Sequence, residues 1–205
     1  ESNIEEFISN NINDEDNVSI NKSDNISLET AEIIMNNHIV ARCSGKMEWG
    51  ARALGNRSIL ANPKHWSNVE KINSKIKKRD FWMPFTPTIL DKDFNKYCIN
   101  PKKLENRFMS MAFNTTKKGQ ECLQAAIHPA DFTARPQMLR EKDNEDYYKI
   151  INEFRKITGV GALLNTSLNL HGLPVVENIK DAFNVFNNSD LDILVINNTL
   201  IKKSL

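Results

Sequence analysis

Four short segments hold the side chains whose types and spacing could do chemistry. The first runs from Gly45 to Ser58 and contains Gly45, Gly50 and Gly55 beside Arg52, Asn56 and Arg57. Glycines let backbone N–H groups approach a phosphate closely, and arginines fork onto its oxygens. The same composition also builds a purely structural turn. The second is Lys77-Lys78-Arg79, at the end of a helical pattern. Cations there complement the helix dipole. In an extended exit, Lys77 and Arg79 fall on one side of the chain and match two phosphates of one ligand. The third holds His128, Asp131 and Arg135 in one turn-prone stretch. A His–Asp pair can move a proton, or it can simply brace a loop. The fourth is Asn165-Thr166-Ser167-Leu168-Asn169, directly after an apolar run. Amides and hydroxyls at a strand end sit where α/β sheets place ligands, though a polar turn has the same composition.

The surrounding pattern supplies elements to hold these segments. Residues 1–26 are rich in Asn, Asp, Glu and Ser and read as a linker with one amphipathic turn at Ile4, Phe7 and Ile8. Ser27 is placed to cap a helix over 28–37, and Ile39–Cys43 reads as a short strand. Ser67 and Glu70 form a capping-box pattern ahead of Val69, Ile72 and Ile76, which predicts a helix over 67–78. Pro84 and Pro87 bar a helix, so Phe85–Leu90 is extended. Alternation predicts strands over Phe108–Phe113 and within Leu123–His128 and Ala134–Leu139. Tyr147, Ile151 and Phe154 mark a helix over 144–157 closed by Gly159, and Val160–Leu164 is a buried strand. Asn178 starts a last helix, and Asp192–Ile196 is a final strand. Short strands mixed with helices indicate an α/β or α+β fold.

Charge is unevenly spread. The net charge of the 205 residues is +1. Residues 1–41 nevertheless carry nine acids against one base, Lys22, and residues 42–205 carry 26 bases against 17 acids. Ten of those bases lie in residues 42–79, where only Glu48 and Glu70 oppose them. Such a block attracts an anionic partner: a nucleotide, a phosphorylated metabolite or nucleic acid. No apolar run is long enough to span a membrane, and no signal peptide is visible. Cys43, Cys98 and Cys122 are widely spaced, an odd set that fits free thiols in a reducing cytoplasm. The sequence has no Walker loop, no H-E-x-x-H and no zinc-spaced Cys/His cluster, so no metal ligands are assigned.

Taken together, the segments GKMEWGARALGNRSILANP, INSKIKKRDFWMPFTPTIL, IHPADFTARPQML and TGVGALLNTSLNLHGLPVVENIKDAFNVF resemble the C-terminal domain of the O-carbamoyltransferase family. That family includes nodulation-factor, tobramycin and cephamycin carbamoyltransferases. The resemblance covers about Ile33 to Ile201. It implies a YrdC-like fold, a twisted mixed sheet with flanking helices, over 27–205. It also implies a sugar-kinase/actin-like N-terminal domain outside this chain, with residues 1–26 as the connection. The chain begins at Glu1, which fits a piece of a longer protein.

The resemblance implies that the domain binds carbamoyl phosphate and ATP, with Mg2+ accompanying ATP, and makes carbamoyl-adenylate. Lys77 and Arg79 match a K-x-R element, and Ser167 and Asn169 an S-x-N element. Arg52 matches the Arg of G-P-R-A-L-G-N-R, and Arg135 that of T-x-R-x-Q. Lys77, Arg79, Arg135, Ser167 and Asn169 are then the expected catalytic set. Arg52, Asn56, Arg57, Asn165 and Thr166 are further ligand contacts, with His128 and Asp131 as secondary candidates. Ala51 replaces the usual Pro, Asp80 a common Glu, Phe132 a frequent Gly, and Met83 a common Arg. The implied partners are the N-terminal domain, small-molecule substrates and a second copy of the chain, with no membrane. Two rival readings are an RNA- or nucleotide-binding module without carbamoylation activity, and a degenerate domain that only docks.

Overall fold

A computed structural model of the protein describes residues 4–12, 17–80 and 82–204. In chain order the elements are α1 (Ile4–Asn11), β1 (Val18–Lys22), α2 (Ile26–Met35), β2 (Val40–Cys43), β3 (Arg57–Ala61) and α3 (Ser67–Glu70). The last of these continues as a π-helix, Lys71–Lys77. Then come β4 (Thr86–Leu90), α4 (Phe94–Tyr97), β5 (Phe113–Asn114), α5 (Lys117–Cys122), β6 (Thr133–Ala134) and β7 (Gln137–Leu139). The chain closes with α6 (Glu145–Thr158), β8 (Ala162–Ser167), α7 (Ile179–Asn187), β9 (Ile193–Ile196) and β10 (Thr199–Lys203).

Eight strands form one mixed sheet in the order β1-β10-β9-β2-β3-β8-β4-β7. The β2–β9 and β4–β7 pairs are parallel and the rest antiparallel. Alternate strand residues enter opposite cores, as period-two geometry requires. Ile59, Leu164, Leu194 and Ile201 pack with Ile72 and Ile76 of the π-helix and Phe183 and Phe186 of α7. Val40, Leu60, Leu163 and Val195 pack on the other face with Ile34 of α2 and Tyr147, Ile151 and Phe154 of α6. A third cluster, including Phe94, Tyr97, Phe113 and Leu123, sits beyond the β4 side of the sheet. The expected architecture, a mixed sheet flanked by helices, is the one found.

Several local expectations are corrected. Within 1–26, α1 packs Phe7 edge-on against Phe183 at 5.7 Å, and β1 pairs with β10. These residues are part of the folded body where they are described. A few apolar side chains in a polar stretch are enough when an open strand edge is available to pair. Asn25, not Ser27, caps α2, its side chain accepting from Leu28 N–H. The Ser67/Glu70 capping box does not form: Trp66 occupies the cap position with no side-chain bond. Of Phe108–Phe113 only Phe113 is in a strand, and Gln124–Ala126 is a 3-10 turn. The strand placed at Val160–Leu164 begins at Ala162 and runs on to Ser167. The helix expected over 144–157 runs from Glu145 to Thr158 with Asn144 as its cap, and it stops at Gly159 as expected, with Gly159 at φ 77°.

Candidate functional site

The strand β8 and the π-helix meet at their C-terminal ends, and there Lys77 of K-x-R meets Ser167 and Asn169 of S-x-N. Lys77 Nζ donates to Asn169 Oδ1 at 2.8 Å and lies 3.2 Å from Ser167 Oγ. Ser167 Oγ donates to Asn169 Oδ1 at 2.6 Å. Asn169 is held in turn by its amide, which donates to the carbonyls of Leu170 and Leu173. Lys77 is only 3% exposed. Burial, then the nearby charge of Arg79, lowers its pKa to about 7. A buried ammonium with no carboxylate partner is costly, and that cost is recovered when an anion arrives.

Arg79 completes the cationic pair by a route that the sequence did not show. The exit from the helix is not extended: Lys78 is left-handed, with φ 52° and ψ 50°. The turn folds Arg79 back, so that its Nε donates to Asn73 Oδ1 at 2.6 Å. Its guanidinium lies over Phe85, 4.5 Å from the ring centroid. Its Nη2 is buried without a hydrogen-bond partner. Burial also lowers the Arg79 pKa.

The loop from Gly45 to Asn56 is held from within. Glu48 Oε1 accepts from the N–H groups of Leu54 and Asn56, each at 2.7 Å, and of Arg57 at 3.3 Å. The amides that glycine spacing suggested for phosphate are thus partly occupied by the chain's own carboxylate. Asn165 donates to Ala53 O at 3.0 Å, and Gln137 to Leu54 O at 3.1 Å. Thr88 Oγ1 links the two, accepting from Asn165 and donating to Gln137. Asn165 is fully buried and acts as a loop clamp; its Oδ1 has no hydrogen-bond partner. Gly55 lies at φ 119°, where an added Cβ would run into the Tyr147 ring.

Arg57 and Asn56 are likewise turned inward. Arg57 is 6% exposed, and its guanidinium donates to the carbonyls of Ser44, Gly45, Asn56 and Glu177. Its donors are therefore already committed to backbone. Asn56 donates to Lys46 O, and its Oδ1 accepts from Arg42 and Asn144. Arg52, by contrast, is exposed at the tip of this loop, and Thr166 is half-buried near the end of β8. Arg135 is exposed between β6 and β7, and its carbonyl accepts from Thr86 Oγ1. Thr86 opens β4, opposite Asn165, and follows Phe85, the ring beneath Arg79. The topology thus carries Arg135 to the same strand ends as the pair of cations.

His128 and Asp131 stand apart as an exposed turn. Their side chains are 3.2 Å apart, and Asp131 also accepts from Thr133 N–H and Oγ1. Those bonds to Thr133, followed by the charge of His128, lower the Asp131 pKa. The pair braces the turn. Residues that sequence reasoning missed are Asn73, Glu48, Thr88 and Phe85. Asn73 did leave a trace: it falls on the apolar face with Val69, Ile72 and Ile76, where a polar side chain needs a buried partner. A separate cleft of about 390 Å³ opens at the C-terminal ends of the parallel β2 and β9, lined by Cys43, Gly45, Arg57, Asn178 and Asn197.

Comparison with known proteins adds an independent line. A family model described as "Carbamoyltransferase C-terminus" matches residues 31–203. An uncharacterized protein of Methanocaldococcus jannaschii is 41% identical over 175 residues, 85% of this chain and 28% of its own length. Nodulation protein NolNO of Sinorhizobium fredii is 41% identical over 174 residues, 84% of this chain and 25% of its own. A 3'-hydroxymethylcephem-O-carbamoyltransferase of Amycolatopsis lactamdurans is 31% identical over 153 residues, covering 75% of this chain and 28% of that protein. The chain therefore spans about a quarter to a third of the length of these relatives. Among solved structures, full-length HypF in a phosphate- and nucleotide-bound form superposes with a TM-score of 0.58 at 18% identity, over 84% of this chain and 25% of that one. At that identity the likeness concerns fold alone. A family model that matches residues 31–203, most of the chain, makes this chain a member of the carbamoyltransferase C-terminus family.

Proposed function

We propose that this chain is the carbamoyl phosphate- and ATP-binding part of an O-carbamoyltransferase, and that it makes carbamoyl-adenylate for an N-terminal domain to pass to an acceptor hydroxyl. The observation that carries this reading is the meeting of the buried Lys77 ammonium with Ser167 and Asn169, with the Arg79 charge near enough to act on it. The balanced chemistry uses water to release phosphate from carbamoyl phosphate. A carbamate oxygen then attacks the α-phosphorus of ATP, and pyrophosphate leaves. Fixed cations in a desolvated site stabilise charge that moves onto phosphate oxygens. Lys77 and Arg79 are positioned to neutralise a phosphate, Ser167 and Asn169 to orient an oxygen, and Arg52 and Arg135 to reach in from exposed loops. Mg2+ enters with ATP as part of the substrate. HypF, described as phosphate- and nucleotide-bound, shares the fold and supports a nucleotide here. The acceptor-binding N-terminal partner, a cytoplasmic location and self-association belong to the same proposal.

Carbamoyl-phosphate-dependent release of pyrophosphate from ATP tests it, measured on the protein with its N-terminal region present. Lys77→Ala and Arg135→Ala should each reduce turnover to background. Release that is absent in the unmutated protein, or unaffected in both variants, overturns the reading. The nucleic-acid alternative loses ground in the fold, because Arg42, Arg57 and Lys77 from the basic block are buried. The docking-only alternative predicts no ATP binding by calorimetry.

A further inference from the structure

The π-helix and the turn after it are tied to a single residue. Asn73 is 1% exposed and lies one turn before Lys77. Its Oδ1 accepts from Arg79 Nε, and its carbonyl accepts from the N–H groups of both Lys78 and Arg79. Its amide donates to Met83 O at 3.2 Å. Three parts of one asparagine therefore hold Lys78, Arg79 and Met83. Arg79 is pinned on one side by this bond and beneath by Phe85, while Nη2 stays unpartnered in a buried position. A guanidinium anchored at Nε presents its two terminal nitrogens together, the edge that forks onto a phosphate. π-Turns recur at functional sites, and here the widened turn lets one carbonyl accept two successive amides.

We infer that Asn73 is a positioning residue, which sets the Arg79 guanidinium so that its terminal nitrogens face the anion held at Lys77, Ser167 and Asn169. This rests on the reading of that cluster as a site for carbamoyl phosphate or ATP. A bond to a charged group of this kind sets affinity by about ten- to a hundredfold. Asn73 is not placed against a reacting atom, and its part in the site is played through Arg79.

The test combines two readouts. The first is the Arg79 Nε–H resonance, assigned by its loss in Arg79→Lys and followed by hydrogen exchange. It should be protected in the unmutated protein, lose protection in Asn73→Ala, and keep it in Asn73→Asp, which retains an acceptor oxygen. The second is kcat/KM for pyrophosphate release in the full-length protein, across a double-mutant cycle. Asn73→Ala should lower it by about ten- to a hundredfold alone and cause no further loss in Arg79→Ala. Asn73→Asp should also lower it, because its carboxylate cancels the charge of Arg79, while the Nε–H stays protected. Unchanged protection in Asn73→Ala, or an equal loss in the Arg79→Ala background, overturns the inference. If the unmutated protein releases no pyrophosphate, the functional reading fails and the resonance alone decides the positioning. Should Asn73→Ala not fold, Asn73→Asp carries the test: a lost Nε–H signal there overturns the inference.

Discussion

At the scale of single residues, the main cost in this fold is Lys77. Its ammonium has a hydroxyl and an amide oxygen for company but no counter-charge, and it titrates at about 7 against 10.5 when unfolded. Between those pH values the unfolded chain binds the extra proton, so stability should rise with pH through that window. Below about 7 the penalty is present in full. Lys77→Met should remove this slope and raise stability by about 1–4 kcal/mol at neutral pH, while abolishing activity. Urea titrations at several pH values check it; a slope that persists in the variant contradicts it. Anion binding should run the other way, because phosphate favours the charged form. Affinity for ATP should fall as pH rises above about 7, and binding near pH 8 should take up a proton. Calorimetry in buffers of different ionisation enthalpy reads that uptake directly. The sequence made Lys77, Arg79, Ser167 and Asn169 visible because the motifs keep their order. It hid the inward turn of Arg57 and Asn165, since most of their partners, among them Ser44, Glu177, Ala53 and Thr88, are distant in the chain.

At the scale of elements, the loop between β2 and β3 shows how little freedom a glycine-rich segment retains. Glu48 gathers two of its amides and that of Arg57 at the start of β3, while Asn165 and Gln137 hold two of its carbonyls. Gly55 brings the backbone against Tyr147 in a conformation that a side chain resists. Gly55→Ala should destabilise the fold by about 1–3 kcal/mol through overpacking and strain, measured by chemical denaturation. It should also weaken ATP binding, since Arg52 rides on this loop. Helix α6 was readable from sequence because its apolar period and its Gly159 stop agree with one another. The π-helix was not, since an apolar stripe over 69–76 looks the same for a regular helix. Strand β10 escaped notice because two-residue turns and short strands leave little periodic signal.

At the scale of the whole molecule, Val18–Lys22, within the early stretch that reads as a linker, is built into the sheet. Strand β1 covers β10 over five residue pairs, with Ile20 opposite Ile201. Removing residues 1–24 should expose an open edge that pairs with other copies. Light scattering should then show concentration-dependent association; a monodisperse truncated chain at every concentration contradicts this. The sheet order also leaves β8, which bears Ser167, in the interior, flanked by β3 and β4. A site at the end of an interior strand is held by neighbours on both sides, as rigid placement of catalytic groups requires. Fold class was legible from the mix of short strands and helices, whereas the strand order depends on long-range pairing that no local pattern records.

The pairing of β1 with β10 has a mechanical consequence. Val18 faces Lys203 at one end of the ladder, and Lys22 faces Thr199 at the other. Tension applied between residues 18 and 203 therefore loads one rung at a time, peeling the ribbon open as a zipper instead of shearing all its bonds together. The seam yields first, five strands away from Ser167 in the sheet order. A pull on the chain is thus absorbed at the far edge of the sheet before it disturbs the Ser167 end of β8.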